Sequence, residues 1–179
     1  MMKFNLHNNP SKNFRTCRGF TLLEALVAIS ILMVAVVSPI TIAQKGLSSA
    51  SYSKNQMIAS YLAQDAIEYI KNKRDENVIN GNDWLAGFDD ECTGVKSCSI
   101  DTKYNAGAGQ IYDDEMVVLK KEKDIDGNFE FYGYEGTEDT NFYRTINITP
   151  TNLGDEALVT VEVGWGTDSI TVQTLIYNI

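Results

Sequence analysis

An apolar run near the N-terminus constrains this chain more than any other feature. Residues 20–43 read FTLLEALVAISILMVAVVSPITIA, and Glu24 is the only charged residue among these 24. As a helix that rises about 1.5 Å per residue, the run is about 36 Å long, enough to cross the hydrocarbon core of a bilayer. The apolar core of a cleavable secretory signal is only about 7–15 residues long. We therefore predict a single transmembrane helix.

The charge of the chain is divided unevenly on the two sides of this helix. Residues 1–19 contain four basic residues and no acidic residue, whereas the remainder contains 11 basic and 24 acidic residues, a formal charge of −13. The positive-inside rule predicts that the basic leader is cytoplasmic and that the acidic C-terminal part is extracytoplasmic. A surface this acidic repels phosphate backbones, so nucleic acid is not expected as a partner.

The cysteines and the histidine restrict the chemistry of the predicted exported part. Cys92 and Cys98 lie there with five residues between them, and disulfides persist outside the cytoplasm. We favour a local disulfide over two free thiols, and two thiols without a nearby histidine are too few for a structural zinc site. The only histidine, His7, belongs to the leader. No catalytic residue and no cofactor is predicted, although catalysis by carboxylates or lysine is left open.

The helical pattern continues beyond the apolar run and becomes amphipathic over residues 44–80. Ile58, Leu62, Ala66 and Ile70 recur at spacings of four, as on one face of a helix. The breakers in residues 77–81 predict its end. An unbroken helix from the start of the apolar run would be about 87 Å long.

Residues 81–179 are predicted to form a loop region followed by a small antiparallel sheet. Alternating apolar residues and turn signals predict five strands at Met116–Leu119, Phe129–Tyr134, Phe142–Thr149, Ala157–Trp165 and Ile170–Tyr177. Short sequential turns predict a meander, and one sheet face needs the amphipathic helix as cover. The predicted fold class is therefore α+β, with domains at 1–19 (leader), 20–43 (membrane helix), 44–80 (amphipathic helix) and 81–179 (head).

Acidic residues in the head raise the question of a metal site. The stretch Asp124-Ile125-Asp126-Gly127-Asn128-Phe129-Glu130 is rich in oxygen ligands, but its spacing does not match the calcium loop of an EF-hand. A hairpin turn is favoured, and calcium binding is kept as the alternative. The acidic clusters 89–91 and 113–115 are interpreted as solvated loops, so no metal ligand is predicted.

The residues around Glu24 carry a specific resemblance. Residues 18–37, RGFTLLEALVAISILMVAVV, resemble the class III signal of type IV pilins and of the pseudopilins of type II secretion systems. In that family a basic leader ends in glycine, and a phenylalanine followed by Thr-Leu-Leu/Ile-Glu opens an apolar helix. The C-terminal strands are similar to those of the minor pilin and pseudopilin subgroup.

The resemblance implies roles for three residues and a set of partners. A prepilin peptidase would cut between Gly19 and Phe20 and N-methylate Phe20, and Glu24 would pair with the α-amine of a neighbouring subunit. Implied partners are other pilin or pseudopilin subunits, the inner-membrane assembly platform and membrane lipid. The implied location is the inner membrane, followed by a periplasmic or surface filament.

Two other functions remain open at this point. A non-polymerising, single-pass binding protein with an extracytoplasmic head would tolerate an intact leader and a neutral residue at position 24. A membrane-tethered enzyme that uses carboxylates would show activity in its head. The alternative reading of Glu24 is that it lies among lipid headgroups, where a carboxylate costs less than in the bilayer centre.

Overall fold

The computed structural model describes residues 19–88, 92–103, 111–112, 117–151 and 154–179. The leader before Gly19 and the acidic clusters 89–91 and 113–115 lie outside these residues. The chain divides into two compact units, Met1–Ser48 and Ser49–Ile179. Helix α1, Leu22–Ile79, contributes to both units, so its two parts are described separately.

The first part of α1 is an apolar helix whose side chains are exposed. It is long and apolar enough to cross a membrane. Pro39 lies inside the helix without ending it. The hydroxyls of Ser38 and Thr41 donate to the carbonyls of Val34 and Val37, each at 3.0 Å. Because these hydroxyls bond within the helix, they do not present an unsatisfied donor to apolar surroundings.

The second part of α1 covers the face of a sheet. The predicted apolar stripe is confirmed, because five side chains on this face of the helix are buried: Ala59, Leu62, Ala63, Ala66 and Ile70. The helix ends at Ile79, within the predicted range. Beyond it, the side-chain amide of Asn77 donates to the carbonyls of Trp84 and Ala86, at 3.3 and 2.9 Å, and holds the chain against the end of the helix.

Seven strands follow the helix. They are β1 (Ser99–Ile100), β2 (Ile111–Tyr112), β3 (Val118–Lys123), β4 (Phe129–Gly133), β5 (Glu138–Pro150), β6 (Glu156–Trp165) and β7 (Asp168–Tyr177). Strands β1 and β2 form a small antiparallel pair, and the other five form an antiparallel sheet in the order β4-β3-β5-β6-β7. A long helix packed on an antiparallel sheet confirms the predicted α+β class.

Strand β6 supplies the centre of the core. Its alternate residues Ala157, Val159, Val161 and Val163 are fully buried, and Trp165 is nearly so. The clean alternation of apolar and polar residues predicted this face from the sequence. Burial of four β-branched or small side chains beneath the helix anchors the sheet to α1.

The predicted meander is correct for β5, β6 and β7 but wrong for β3, β4 and β5. Strand β5 pairs with β3 rather than with β4, so the connection between β4 and β5 crosses β3. It crosses at Gly136, where a Cβ atom would lie 2.7 Å from the carbonyl carbon of Lys121. Only glycine allows this close passage over the backbone of β3.

The boundary of β3 also differs from the prediction. The strand spans Val118–Lys123 instead of Met116–Leu119, and residue 116 lies outside the described residues. The hairpin closes tightly, because the amide of Asp124 donates to the carbonyl of Asn128 at 2.9 Å. Polar Lys120, Lys121 and Lys123 can extend the strand because this pairing satisfies their backbone and leaves their ammonium groups near water.

Candidate functional site

The first candidate site is the start of α1, where the sequence predicted the cleavage and assembly residues. Gly19 and Phe20 precede the helix, and 78 % of Phe20 is exposed. Thr21 is the N-cap, because its Oγ1 accepts the amide N–H of Glu24 at 3.3 Å and its carbonyl accepts that of Ala25 at 3.1 Å. A side-chain oxygen at this position satisfies one of the free donors of the helix end.

Glu24 therefore occupies the first turn of the helix. Its amide is held by the Thr21 cap, and its side chain is exposed. A carboxylate in the first turn interacts favourably with the positive end of the helix dipole. The three predicted residues Gly19, Phe20 and Glu24 thus lie in or just before the first turn of α1, and all three are exposed in the isolated chain.

The second candidate feature is the disulfide loop. Cys92 and Cys98 form a disulfide with their Cα atoms 4.9 Å apart. The loop covers the part of β5 that β3 does not reach, because the amides of Ile146 and Ile148 donate to the carbonyls of Cys98 and Cys92, both at 2.8 Å. The loop therefore satisfies the hydrogen-bonding groups on the side of β5 that β3 leaves unpaired, a role that the sequence did not predict.

The loop is also held from the outer face of β5. The side-chain amide of Asn147 donates to the carbonyls of Gly94 and Lys96, at 2.9 and 2.6 Å. At the tip, the side chain of Val95 is 99 % exposed. The disulfide, the side chain of Asn147 and the backbone bonds to Ile146 and Ile148 together fix this loop on β5.

A buried arginine connects three elements of the head. Arg144 on β5 is fully buried, and its Nη1 donates to the carbonyl of Leu62 and to Oδ2 of Asp65, both at 3.0 Å. Its Nη2 donates to the carbonyl of Ile100 at 2.7 Å. Thr102 donates to the same carboxylate oxygen of Asp65. The guanidinium thus ties α1 and β1 to the sheet.

A groove of about 420 Å³ lies between α1 and β4. Its walls are mostly apolar and aromatic, and they are formed by Ile58, Tyr61, Leu62, Asp65, Thr102, Lys103, Phe129, Glu130, Phe131 and Tyr132. Tyr61 and Phe129 are 65 % and 52 % exposed. The ammonium group of Lys103 forms a salt bridge with Glu122, with Nζ 2.7 Å from Oε2, and lies over the ring of Phe131. The groove therefore resembles a docking surface more than a catalytic site.

The acidic hairpin between β3 and β4 is a hydrogen-bonded turn. One carboxylate oxygen of Asp124 accepts the amides of Asp126 and Asn128, at 3.0 and 2.7 Å, and Gly127 has a φ of 82°. The amide of Asn128 in particular lowers the pKa of Asp124. Within the described part of the chain, no group of three or more His, Cys, Asp or Glu side chains could hold a metal ion.

The roles of Thr21 and Arg144 were not predicted, although the sequence contains a signal for each of them. Thr21 and Glu24 have the S/T-x-x-E spacing of a capping box, which marks a helix start. Arg144 shares the parity of Phe142, Ile146 and Ile148, so the alternation of β5 places it on the buried face. A charged residue at an inward position signals a buried polar network, although the partners of that network cannot be read from β5.

Comparison with known families identifies the helix start. Residues 14–38 match the family described as the prokaryotic N-terminal methylation motif. The chain therefore carries the prepilin signal of type IV pilins and pseudopilins, the substrate of prepilin peptidase. The motif points to a structural subunit rather than an enzyme. Comparisons with curated proteins and with solved structures gave no match.

Proposed function

We propose that this protein is a minor pilin-like or pseudopilin subunit of a type IV pilus or type II secretion filament. It is made as a precursor, cut between Gly19 and Phe20, and N-methylated on Phe20. The processed chain is anchored in the inner membrane with its head outside the cytoplasm, and it then joins a filament through its N-terminal helix with the inner-membrane assembly platform.

The observation that carries this proposal is the continuity of the methylation motif with the helix. The match ends at residue 38, inside the apolar part of α1, and it includes the capped start at Thr21. Cleavage after Gly19 would free the α-amine of Phe20 directly before the capped turn. Because glycine has no Cβ, the peptide bond at this junction is open to a protease.

Glu24 has a specific task in this proposal. In a bundle of packed helices, the carboxylate of one subunit pairs with the N-terminal amine of a neighbour. The pair offsets the cost of removing both charges from water, whereas either charge alone would be costly. Because the cap fixes the first turn, the carboxylate has a defined position along the helix axis. Pairing would therefore set the axial register between subunits.

Processing is tested by the N-terminus of the mature chain. In cells that contain a prepilin peptidase, mass spectrometry of the membrane-extracted protein should find methylated Phe20 as the first residue. In cells without the peptidase, the chain should begin within residues 1–19. An intact leader in the presence of active peptidase would contradict the proposal and favour a non-polymerising membrane-anchored binding protein.

Assembly is tested by Glu24→Gln, with Glu24→Asp as the matched control that keeps the charge. The glutamine is nearly isosteric, and lipid accepts an amide more readily than a carboxylate. Loss of the counter-charge should cost about 3–5 kcal/mol per contact and strongly reduce the fraction of subunit in sheared filaments. Processed monomer should persist in the membrane, and Asp should retain part of the assembly. Equal fractions for wild type and Gln would refute the pairing.

A further inference from the structure

The two edges of the five-stranded sheet differ in how they are protected. Within the described residues, no strand pairs with the outer side of β4 or of β7. Strand β4 has five residues, and its pairing with β3 contains a bulge. Strand β7 pairs with β6 over ten residues without a bulge, and Asp168 is its only charged residue. Long, regular and uncharged edges favour pairing with another strand.

The hydrogen-bonding groups on the open side of β7 can be assigned. Beyond the end of the strand, the amide of Asn178 donates to the carbonyl of Asp155 at 2.9 Å, so even-numbered residues bond toward β6. Because bonding alternates along an antiparallel strand, odd-numbered residues direct their N–H and C=O groups outward. Arg74 donates to the carbonyl of Tyr177, which leaves Ser169, Thr171, Gln173 and Leu175 as the stretch that is open among the described residues.

We propose that this open stretch of β7 pairs in parallel with the outer edge of β4 in a second copy of the chain. Every pairing in the sheet is antiparallel. In the order β4-β3-β5-β6-β7, the two edge strands therefore run in the same direction. A head-to-tail contact between them keeps the helix segments 49–79 of all copies parallel.

The topology selects this arrangement over a two-fold dimer. Antiparallel pairing of β7 with β7 of another copy requires an axis perpendicular to the sheet, which reverses the helix segment 49–79 of one copy. In a filament every copy has the same direction along the axis, so such a reversal does not fit the proposed function. A head-to-tail contact uses two different surfaces, and when its rotation does not close a ring it repeats as an open filament. In this respect the inference rests on the proposed function.

The groove beside β4 fits the side chains that this contact would bring. Ile170 and Val172 are opposite Val163 and Val161 of β6, so they lie on the helix side of the sheet, and they are only half-buried. The groove lies on the same side of β4, against Tyr61 and Phe129. When β7 pairs in parallel with β4 of the second copy, the helix sides of the two sheets face the same way. Ile170 and Val172 of β7 therefore cover the exposed rings of Tyr61 and Phe129 in the second copy.

The contact is tested by photo-crosslinking in cells that express the full chain. p-Benzoylphenylalanine replaces Thr171 on the outer face of β7, and the matched control carries it at Glu162, on the same face of the inner strand β6. We expect an adduct of twice the chain mass from position 171, with the crosslink mapped by mass spectrometry to residues 129–133 of the second copy. Position 162 should give no such adduct.

A pair of substitutions tests whether the backbone makes the contact. Gln173→Pro removes an outward N–H without removing a bond to β6, and proline is tolerated at such edge positions. Gln173→Ser keeps that N–H. Both variants lose the side-chain hydrogen bond from Gln173 to Thr160, so the comparison isolates the effect of the outward backbone N–H of residue 173. Adduct yield from position 171 should fall about tenfold with Pro and stay within about twofold with Ser.

The results separate this inference from the proposed function, because the N-terminus and the sheared-filament fraction are measured in the same cells. Filaments without the 129–133 adduct would overturn the edge contact and leave the proposed function standing. An adduct in membranes that yield no filaments would support the contact alone. An adduct mapped to β7 of the second copy or to a different protein, or no adduct at all, would overturn the contact.

Discussion

The guanidinium of Arg144 on β5 donates to the main-chain carbonyl of Leu62 on α1 at 3.0 Å. The same group reaches the carbonyl of Ile100 on β1 at 2.7 Å. A fully buried arginine therefore connects the helix, the small strand pair and the central sheet. Its ion-pair partner, Asp65, is 51 % exposed, so the carbonyl contacts should matter more for stability than the ion pair does.

Arg144→Met should destabilise the head by about 2–4 kcal/mol, because it removes charge-assisted hydrogen bonds to two carbonyls. Asp65→Asn should cost no more than about 1 kcal/mol, since its carboxylate is half in water. Urea unfolding of the detergent-solubilised full chain, followed by the fluorescence of Trp84 and Trp165, measures both values. A larger effect for Asp65→Asn than for Arg144→Met would show that the ion pair dominates.

Reduction of the Cys92–Cys98 disulfide should loosen one side of β5 without dissolving the sheet. A seven-residue loop predicts a loss of about 2 kcal/mol. Hydrogen exchange should accelerate at the amides of Ile146 and Ile148, which bond to the loop, and much less at Asn147, which faces β6. Cys92→Ser/Cys98→Ser should behave as the reduced protein does. Equal acceleration at all three amides would mean that the loop supports the whole sheet.

Gly136→Ala should destabilise the protein by about 1–3 kcal/mol, because the new methyl group overlaps the backbone of β3 at Lys121. The matched control is Gly46→Ala, where no atom lies within 4 Å of the new Cβ and alanine favours the helix. Thermal unfolding of the two full-length variants measures the difference. If Gly136→Ala were as stable as wild type, the crossing would have room that the structure does not show.

The Asp124 turn should weaken when its carboxylate is protonated at low pH. The amide of Asn128 lowers the pKa of the Asp124 carboxyl, so its stabilising effect is present above the unfolded-state pKa and is lost as the pH falls through the folded-state pKa. The NMR signal of the side-chain carboxyl carbon of Asp124 should give a lower titration midpoint in the folded chain than in urea. Equal midpoints would mean that the carboxylate does not accept the turn amides in solution.

The sequence by itself determined the features that depend on neighbouring residues. The apolar run fixed the membrane-length helix, the spacing of Leu62, Ala66 and Ile70 fixed its buried face, and the alternation in β6 fixed the core strand. The motif around Gly19 and Glu24 is likewise a short, continuous segment. Each of these signals arises from local backbone geometry, which repeats every 3.6 or 2 residues and is therefore written along the chain.

Only the tertiary structure decided how distant segments meet. It placed β5 beside β3 through a crossing at Gly136, put the disulfide loop on the free side of β5, and brought Arg144 to Leu62. A strand pattern specifies which face is buried but not which strand is its neighbour, because any apolar edge of suitable length satisfies the same alternation. The choice depends on burial and hydrogen bonding summed over segments as much as 103 residues apart, which no local pattern contains.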